Sequence, residues 1–197
     1  DLDKKFIKKF DNIAFYYIFF NTRKIYFPKE NITERCLIKP RDVYAQNKFL
    51  TEKFLKLRLK KKLISLRISN ILGSRLYKIT RNNHKLFFDN FLNYKKMKIK
   101  KKIIIEDDFK DFLSIDQFCR IIFKIIKLNV SGTYNVSISK KIYLSEIIEW
   151  LDQSVLEKFN FNKSTKNSFT LANAKLLKKI DIKITKNQLK KFCKKLL

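Results

Sequence analysis

The sequence predicts an α/β fold built on a parallel sheet, and three observations point there. Segments with helical spacing alternate with strand-like segments along the chain, the order a parallel sheet requires because each crossover needs a helix. The strand-like segments include continuous apolar runs such as Ala14-Phe15-Tyr16-Tyr17-Ile18-Phe19-Phe20, which suit strands buried on both faces. The 197 residues are 45% hydrophobic, with 19 Phe but only two Gly and two Pro. That content buries a core and is too apolar for disorder.

Residues 3–10 have helical spacing, and the apolar run that follows reads as the first strand, ended by Asn21-Thr22-Arg23. A loop carrying Pro28 and Pro40 comes next, and Asp42 is placed to cap a long helix reaching about Lys61. Leu63–Ile68 reads as a second strand, closed by Asn70 and Gly73. Residues 84–97 are expected to be helical and residues 103–105 to form a short strand. Ser114 begins a helix over residues 115–128, with Asp116 and Gln117 in its first turn. Gly132–Val136 reads as a strand. Residues 144–159 read as an amphipathic helix whose core face holds Ile147, Ile148, Trp150 and Leu151. Two short basic helices are expected within residues 173–197. Neither an internal repeat nor a flexible linker interrupts the series.

Composition excludes several chemistries. Two glycines, Gly73 and Gly132, cannot make a GxGxxG or GxxxxGKS phosphate loop. One histidine, His84, excludes HExxH and paired-histidine zinc sites, and no metal is expected. Cys36, Cys119 and Cys193 are odd in number and far apart, so reduced thiols in a cytoplasmic setting fit better than disulfides. No segment has the ~18 apolar residues of a membrane span, and no signal-peptide pattern is present. The formal charge is +28, but only eight of the 46 basic residues are Arg. Lys, Ile, Phe and Asn share A/T-rich codons, so genome bias explains the charge better than selection for a polyanion. The densest runs, Lys60-Lys61-Lys62 and residues 95–102, sit in unrelated segments. Nonspecific attraction to nucleic acid at low salt follows either way.

Tyr44 and Lys48 are spaced i and i+4, so on a helix they share one face. A neighbouring ammonium favours the phenolate and makes tyrosine a usable acid or base. Lowering a phenol pKa by about 3 units takes about 4 kcal/mol, the order of energy a charge about 4 Å away supplies near a protein surface. By itself the pair is weak, since lysine is common and Tyr94 and Lys98 repeat the spacing on what reads as a solvated face. Simpler roles stand beside the chemical ones elsewhere. Thr22 suits a loop cap and Asn70 a strand end, Asp111 and Asp116 suit helix capping or salt bridges, and Cys36 and His84 read as spectators.

Context gives the pair more weight. Phe20-Asn21-Thr22-Arg23-Lys24-Ile25-Tyr26 delivers a hydroxyl at a strand's C-terminal end, where open α/β sheets bind ligands. Tyr44-Ala45-Gln46-Asn47-Lys48 is followed by Glu52. Arg67-Ile68-Ser69-Asn70-Ile71-Leu72-Gly73, Lys110-Asp111-Phe112-Leu113-Ser114-Ile115-Asp116 and Gly132-Thr133-Tyr134-Asn135-Val136 come next. This ordered series resembles the extended short-chain dehydrogenase/reductase family, the NAD(P)-dependent epimerases, dehydratases and reductases of nucleotide sugars. The family's blocks are Ser-Ser/Thr before Val-Tyr-Gly, Tyr-x-x-x-Lys then Glu, Arg-x-x-Asn-x-x-Gly, Arg-Asp-Phe-x-x-Val-x-Asp, and Gly-x-Tyr-Asn-Val. The likeness covers Phe19 to about Leu151.

The resemblance implies a Rossmann-type sheet with flanking helices plus a small substrate lobe. Its C-terminal part would be present here, with the sheet over about residues 1–72 and 110–137 and the lobe over about 73–109 and 138–197. It implies Tyr44 as proton donor or acceptor at the sugar oxygen, with Lys48 lowering its pKa and holding the nicotinamide ribose. Thr22 would orient the same oxygen and Asn70 would bind substrate near its diphosphate. NAD or NADP is the implied cofactor, a nucleotide sugar the substrate, surface polysaccharide the pathway, and a homodimer is admitted. Phe27 stands where the family has Gly, Ser74 where Pro follows Gly73, Lys110 replaces Arg, and Ser114 replaces a frequent His. The chain is expected to start roughly 100 residues into a typical member, past the GxxGxxG unit that holds the pyrophosphate. Dehydratases of the family carry Asp-Glu after the Ser/Thr, whereas Arg23-Lys24 follow Thr22, so an epimerase or reductase is favoured. A non-catalytic remnant or partner subunit of the same fold, and a basic nucleic-acid-binding protein, are the alternatives.

Overall fold

The computed structural model describes residues 2–9, 16–73 and 102–196. In chain order they form α1 (Leu2–Lys9), β1 (Tyr17–Thr22), α2 (Val43–Leu59), β2 (Leu63–Ile68), β3 (Asn70–Leu72) and β4 (Ile103–Lys110). Then come β5 (Phe112–Ser114), α3 (Ile115–Lys127), β6 (Gly132–Val136), β7 (Ile142–Tyr143) and α4 (Leu144–Leu151). β8 (Phe159–Ser164), α5 (Ala174–Ile180) and α6 (Lys186–Cys193) complete the series, and short 3-10 turns occupy Arg23–Ile25, Lys60–Lys62 and Gln153–Lys158.

β1, β2 and β6 make a parallel sheet in the order β1-β2-β6. Thr22 pairs with Ile68 and Ile68 with Val136, so all three strands end along one line. β2 is buried along its length, as its lack of alternation predicted, whereas β1 is not buried on both faces: Phe19 is buried but Phe20 is 47% exposed. Phe19 and Leu63 pack with Ile7, Leu55 and Leu59 from α1 and α2, while Ile64 and Leu66 join Ile121 and Ile125 of α3. Beyond the strand ends, β3 pairs with β5 in parallel. β4 stands between β7 (antiparallel) and β8 (parallel).

The helix starts follow capping chemistry. The Asp42 side chain accepts the Ala45 N–H at 2.7 Å and opens α2. Ser114 and Gln117 exchange bonds in a capping box at the start of α3, and Thr185 with Gln188 does the same for α6.

Three further expectations need correction. The helix expected over residues 144–159 stops at Leu151, because Asp152 adopts extended backbone (φ −162°) and its side chain caps the 3-10 turn that follows. Phe159 and Phe161 then alternate with exposed Asn160 and Asn162, a strand pattern that makes β8. The short strand expected at residues 103–105 runs to Lys110 because β8 pairs along it as far as Asp108 and β7 pairs with Phe109 and Lys110. Asp111 caps no helix. It is fully buried and accepts the backbone N–H groups of Ile138, Ser139 and Leu171 at 2.9–3.2 Å. The helix expected over residues 84–97, together with His84, Ser74, Tyr94 and Lys98, lies outside the described residues.

Candidate functional site

The line of strand ends is where the sheet offers a ligand its crevice. Thr22 closes β1 there, and its hydroxyl accepts the Lys24 N–H at 3.3 Å, starting the 3-10 turn. Asp42 then starts α2 on the same side, reaching the Lys24 ammonium at 3.5 Å. The first turns of α2 carry Tyr44, 53% exposed, and Lys48 on one face. The Lys48 ammonium donates to the Phe20 carbonyl at 2.9 Å, which ties it to β1 two residues before Thr22. It also lies 4.8 Å from the centre of the Phe19 ring. The Lys24 ammonium sits 5.8 Å from the Tyr44 ring centre.

Tyr44 and Lys48 line one cleft of about 330 Å³ with Asp3, Lys4, Asn47 and Thr51. Thr22 and Asn70 are not among its lining residues. Thr22 is linked to it through Lys24 on one side and the Lys48–Phe20 bond on the other, whereas Asn70 opens β3 beyond the end of β2. Adjoining it across the α2 N-terminus is a basic cleft of about 280 Å³, lined by Arg23, Lys24, Tyr26, Pro28, Arg41, Asp42, Lys110 and Asn167. A phenol and an ammonium presented together match a vicinal diol such as a ribose, which accepts from one and bonds with the other.

Beneath both clefts lies a buried polar network that the sequence reading did not single out. Glu52, one turn past Lys48, accepts from Arg67 Nε and Nη2, Ser65 Oγ, Asn21 Nδ2 and Lys56 Nζ. Arg67 also donates to the Tyr26 hydroxyl and the Glu34 carbonyl. Tyr26 donates in turn to Asn135 Oδ1 at 3.1 Å. Burial pushes Glu52 upward, but its bonds to Arg67 and Lys56 outweigh that and hold its carboxyl at about 2. Burial pushes the Tyr26 phenol up to about 12 despite Arg67, keeping it a neutral strut. This network ties Tyr26 after the 3-10 turn, the middle of α2 and β2 to one another. Tyr26, Glu52, Arg67 and Asn135 all stand in the blocks that carry the family resemblance, but no local pattern shows that they meet.

No protein-family model matches the sequence, and neither does any curated protein. Solved structures do match. The dTDP-glucose 4,6-dehydratase of Bacillus anthracis, solved with NAD, superposes with a TM-score of 0.75 at 15% identity, over 98% of this chain and 63% of its own. The UDP-N-acetylglucosamine 4-epimerase of Methanobrevibacter ruminantium, solved with UDP-N-acetylmuramic acid, gives 0.77 at 18% identity, over 98% and 66%. The RMD protein of Pseudomonas aeruginosa, solved with NADPH, gives 0.77 at 16% identity, over 99% and 70%. This chain has their fold. It is an α/β fold of Rossmann type, with a parallel sheet and flanking helices, and the chain spans about two-thirds of the length of these structures.

Proposed function

We propose that this protein serves the NAD(P)-dependent epimerisation or reduction of a nucleotide-linked sugar, with Tyr44 as the acid/base. The observation that carries this reading is the pairing of Tyr44 and Lys48 at the sheet's ligand-binding end, in a chain with the fold of nucleotide-sugar enzymes. A nicotinamide dinucleotide, when bound, supplies the hydride donor or acceptor. Lys48 holds the ribose hydroxyls beside Tyr44. Tyr44 moves the proton at the sugar oxygen, and Thr22 orients that oxygen. Asn70 binds substrate on the diphosphate side. The residues here supply the ribose end, since two glycines do not build a pyrophosphate loop.

In this reading residues 1–72 and 110–137 form the sheet portion, and residues 73–109 and 138–197 the substrate lobe. Arg23 and Lys24 occupy positions where an elimination of water needs carboxylates, so epimerase or reductase chemistry is preferred. The scattered free cysteines support a reducing, cytoplasmic setting. Among the described residues, no helix is long and apolar enough to cross a membrane.

The test is a titration of the full-length protein with NADH and NADPH by nicotinamide fluorescence, followed by turnover of UDP- and dTDP-linked sugars. Tyr44→Phe is expected to leave nicotinamide binding within about twofold and to lower turnover by about 10²–10⁴. Lys48→Met is expected to weaken nicotinamide binding. Unchanged turnover in Tyr44→Phe, or no nicotinamide binding in the wild type, overturns the reading.

A further inference from the structure

The basic cleft beside Tyr44 holds four cations, Arg23, Lys24, Arg41 and Lys110, against one carboxylate, Asp42, a net charge of +3. Asp42 is already engaged, accepting the Ala45 N–H and pairing with Lys24. The Arg23 guanidinium carbon lies over the Phe169 ring, 3.8 Å from its centre. A guanidinium held over a ring face keeps N–H groups for an acceptor. Burial pulls Arg23 down to about 10, against the favourable charge of Asp42. Burial and the Arg23 charge pull Lys110 down, while Asp108 and Glu106 favour its charged form. Two partly buried cations that repel each other across a cleft are stabilised by an anion placed between them.

Position decides which anion. Arg23 and Lys24 follow Thr22 directly, and Lys24 also covers the Tyr44 ring. The cleft therefore adjoins the side of Thr22 and Tyr44 on which the sugar oxygen would lie. Asn70, the residue proposed for the diphosphate side of the substrate, opens β3 just beyond the end of β2 and does not line this cleft. A carboxylate presents two coplanar oxygens that match the arginine fork.

We infer that this cleft receives a carboxylate carried by the sugar itself, so that the substrate class is nucleotide-linked acidic sugars. This rests on the nucleotide-sugar reading above. Arg23 and Lys110 are then the residues that set specificity, and Arg41 adds charge at the rim, where Phe27 stacks near it at 5.7 Å.

The experiment is calorimetric titration of the full-length protein at about 150 mM salt, where nonspecific attraction is screened, with UDP-glucose, UDP-glucuronate and UDP. The wild type is expected to bind UDP-glucuronate at least tenfold more tightly than UDP-glucose. Arg23→Gln and Lys110→Gln should each narrow that gap, and together reduce it to within about twofold, while UDP-glucose affinity stays unchanged. Lys178→Gln/Lys179→Gln, which removes the same charge from the exposed end of α5, should leave the gap intact. Equal wild-type affinity for the two sugars overturns the inference and leaves the nucleotide-sugar reading standing, whatever the folding of the variants. Loss of UDP affinity itself in Arg23→Gln assigns the cleft to the diphosphate and also overturns it. Failure of all three ligands to bind removes the nucleotide-sugar reading, and the inference with it.

Discussion

Glu52 shows how one residue can organise a site it does not touch. Five donors from α2, β1 and β2 converge on its two oxygens, and its side chain is 1% exposed. Its folded-state pKa of about 2 lies below the ordinary glutamate value of 4.5. The stabilisation it brings is therefore complete above pH 4.5 and is lost as the pH falls through 2, a term of about 3 kcal/mol. Glu52→Gln leaves Arg67 charged and buried without its counter-ion, so a loss of about 3–5 kcal/mol at pH 7 is expected. Urea denaturation at pH 7 and pH 3 checks both parts. The wild type should lose stability between those values and Glu52→Gln should lose much less. A wild-type-like slope in the variant would show that another group carries the acid sensitivity.

At the scale of elements, Asp111 links β5 to two loops that have little regular structure of their own. Its oxygens hold the amides of Ile138 and Ser139 after β6 and of Leu171 before α5. Burial pushes its carboxyl up to about 7 against those donors. Asp111→Asn presents an NH2 to N–H groups that need an acceptor, at a cost of about 1–3 kcal/mol. Hydrogen exchange should speed up at the Ile138, Ser139 and Leu171 amides and not in β1 or β2. Uniform acceleration would mean that Asp111 supports the whole fold rather than these loops. This pin was not legible in the sequence, because its donors are main-chain groups 27 to 60 residues away. The parallel sheet was legible, since strand-like segments such as Leu63–Ile68 alternate with helical ones. Asp42 and Ser114 were legible as caps, because capping is local chemistry. β8 was missed for the opposite reason: Phe159–Ser164 becomes a strand by pairing with β4, and the apolar residues before it continue a helical period. At the site, the Tyr44/Lys48 face follows from spacing alone. The Lys48–Phe20 bond and the clustering of Lys110 with Arg23 depend on tertiary contacts that no local pattern encodes.

For the whole molecule the governing quantity is its charge of +28. Part of it is accommodated locally: Lys175 lies over Tyr134 and donates to the Thr133 carbonyl, and Lys186 and Lys190 lie over Trp150, with Lys186 also paired to Glu146. The remainder repels itself across the surface. Raising salt from about 20 mM to about 300 mM shortens the screening length from about 20 Å to about 6 Å, which relieves that repulsion in the compact state. The melting temperature is therefore expected to rise with salt over this range. Affinity for random duplex DNA should fall steeply over the same range, because attraction to phosphates is paid back as counter-ions are released. The two trends have one cause and should appear together in parallel thermal melts and anisotropy titrations. If DNA affinity instead held above about 150 mM while the melting temperature rose, the basic surface would contain an organised polyanion site. That result would favour the nucleic-acid-binding alternative over the nucleotide-sugar reading.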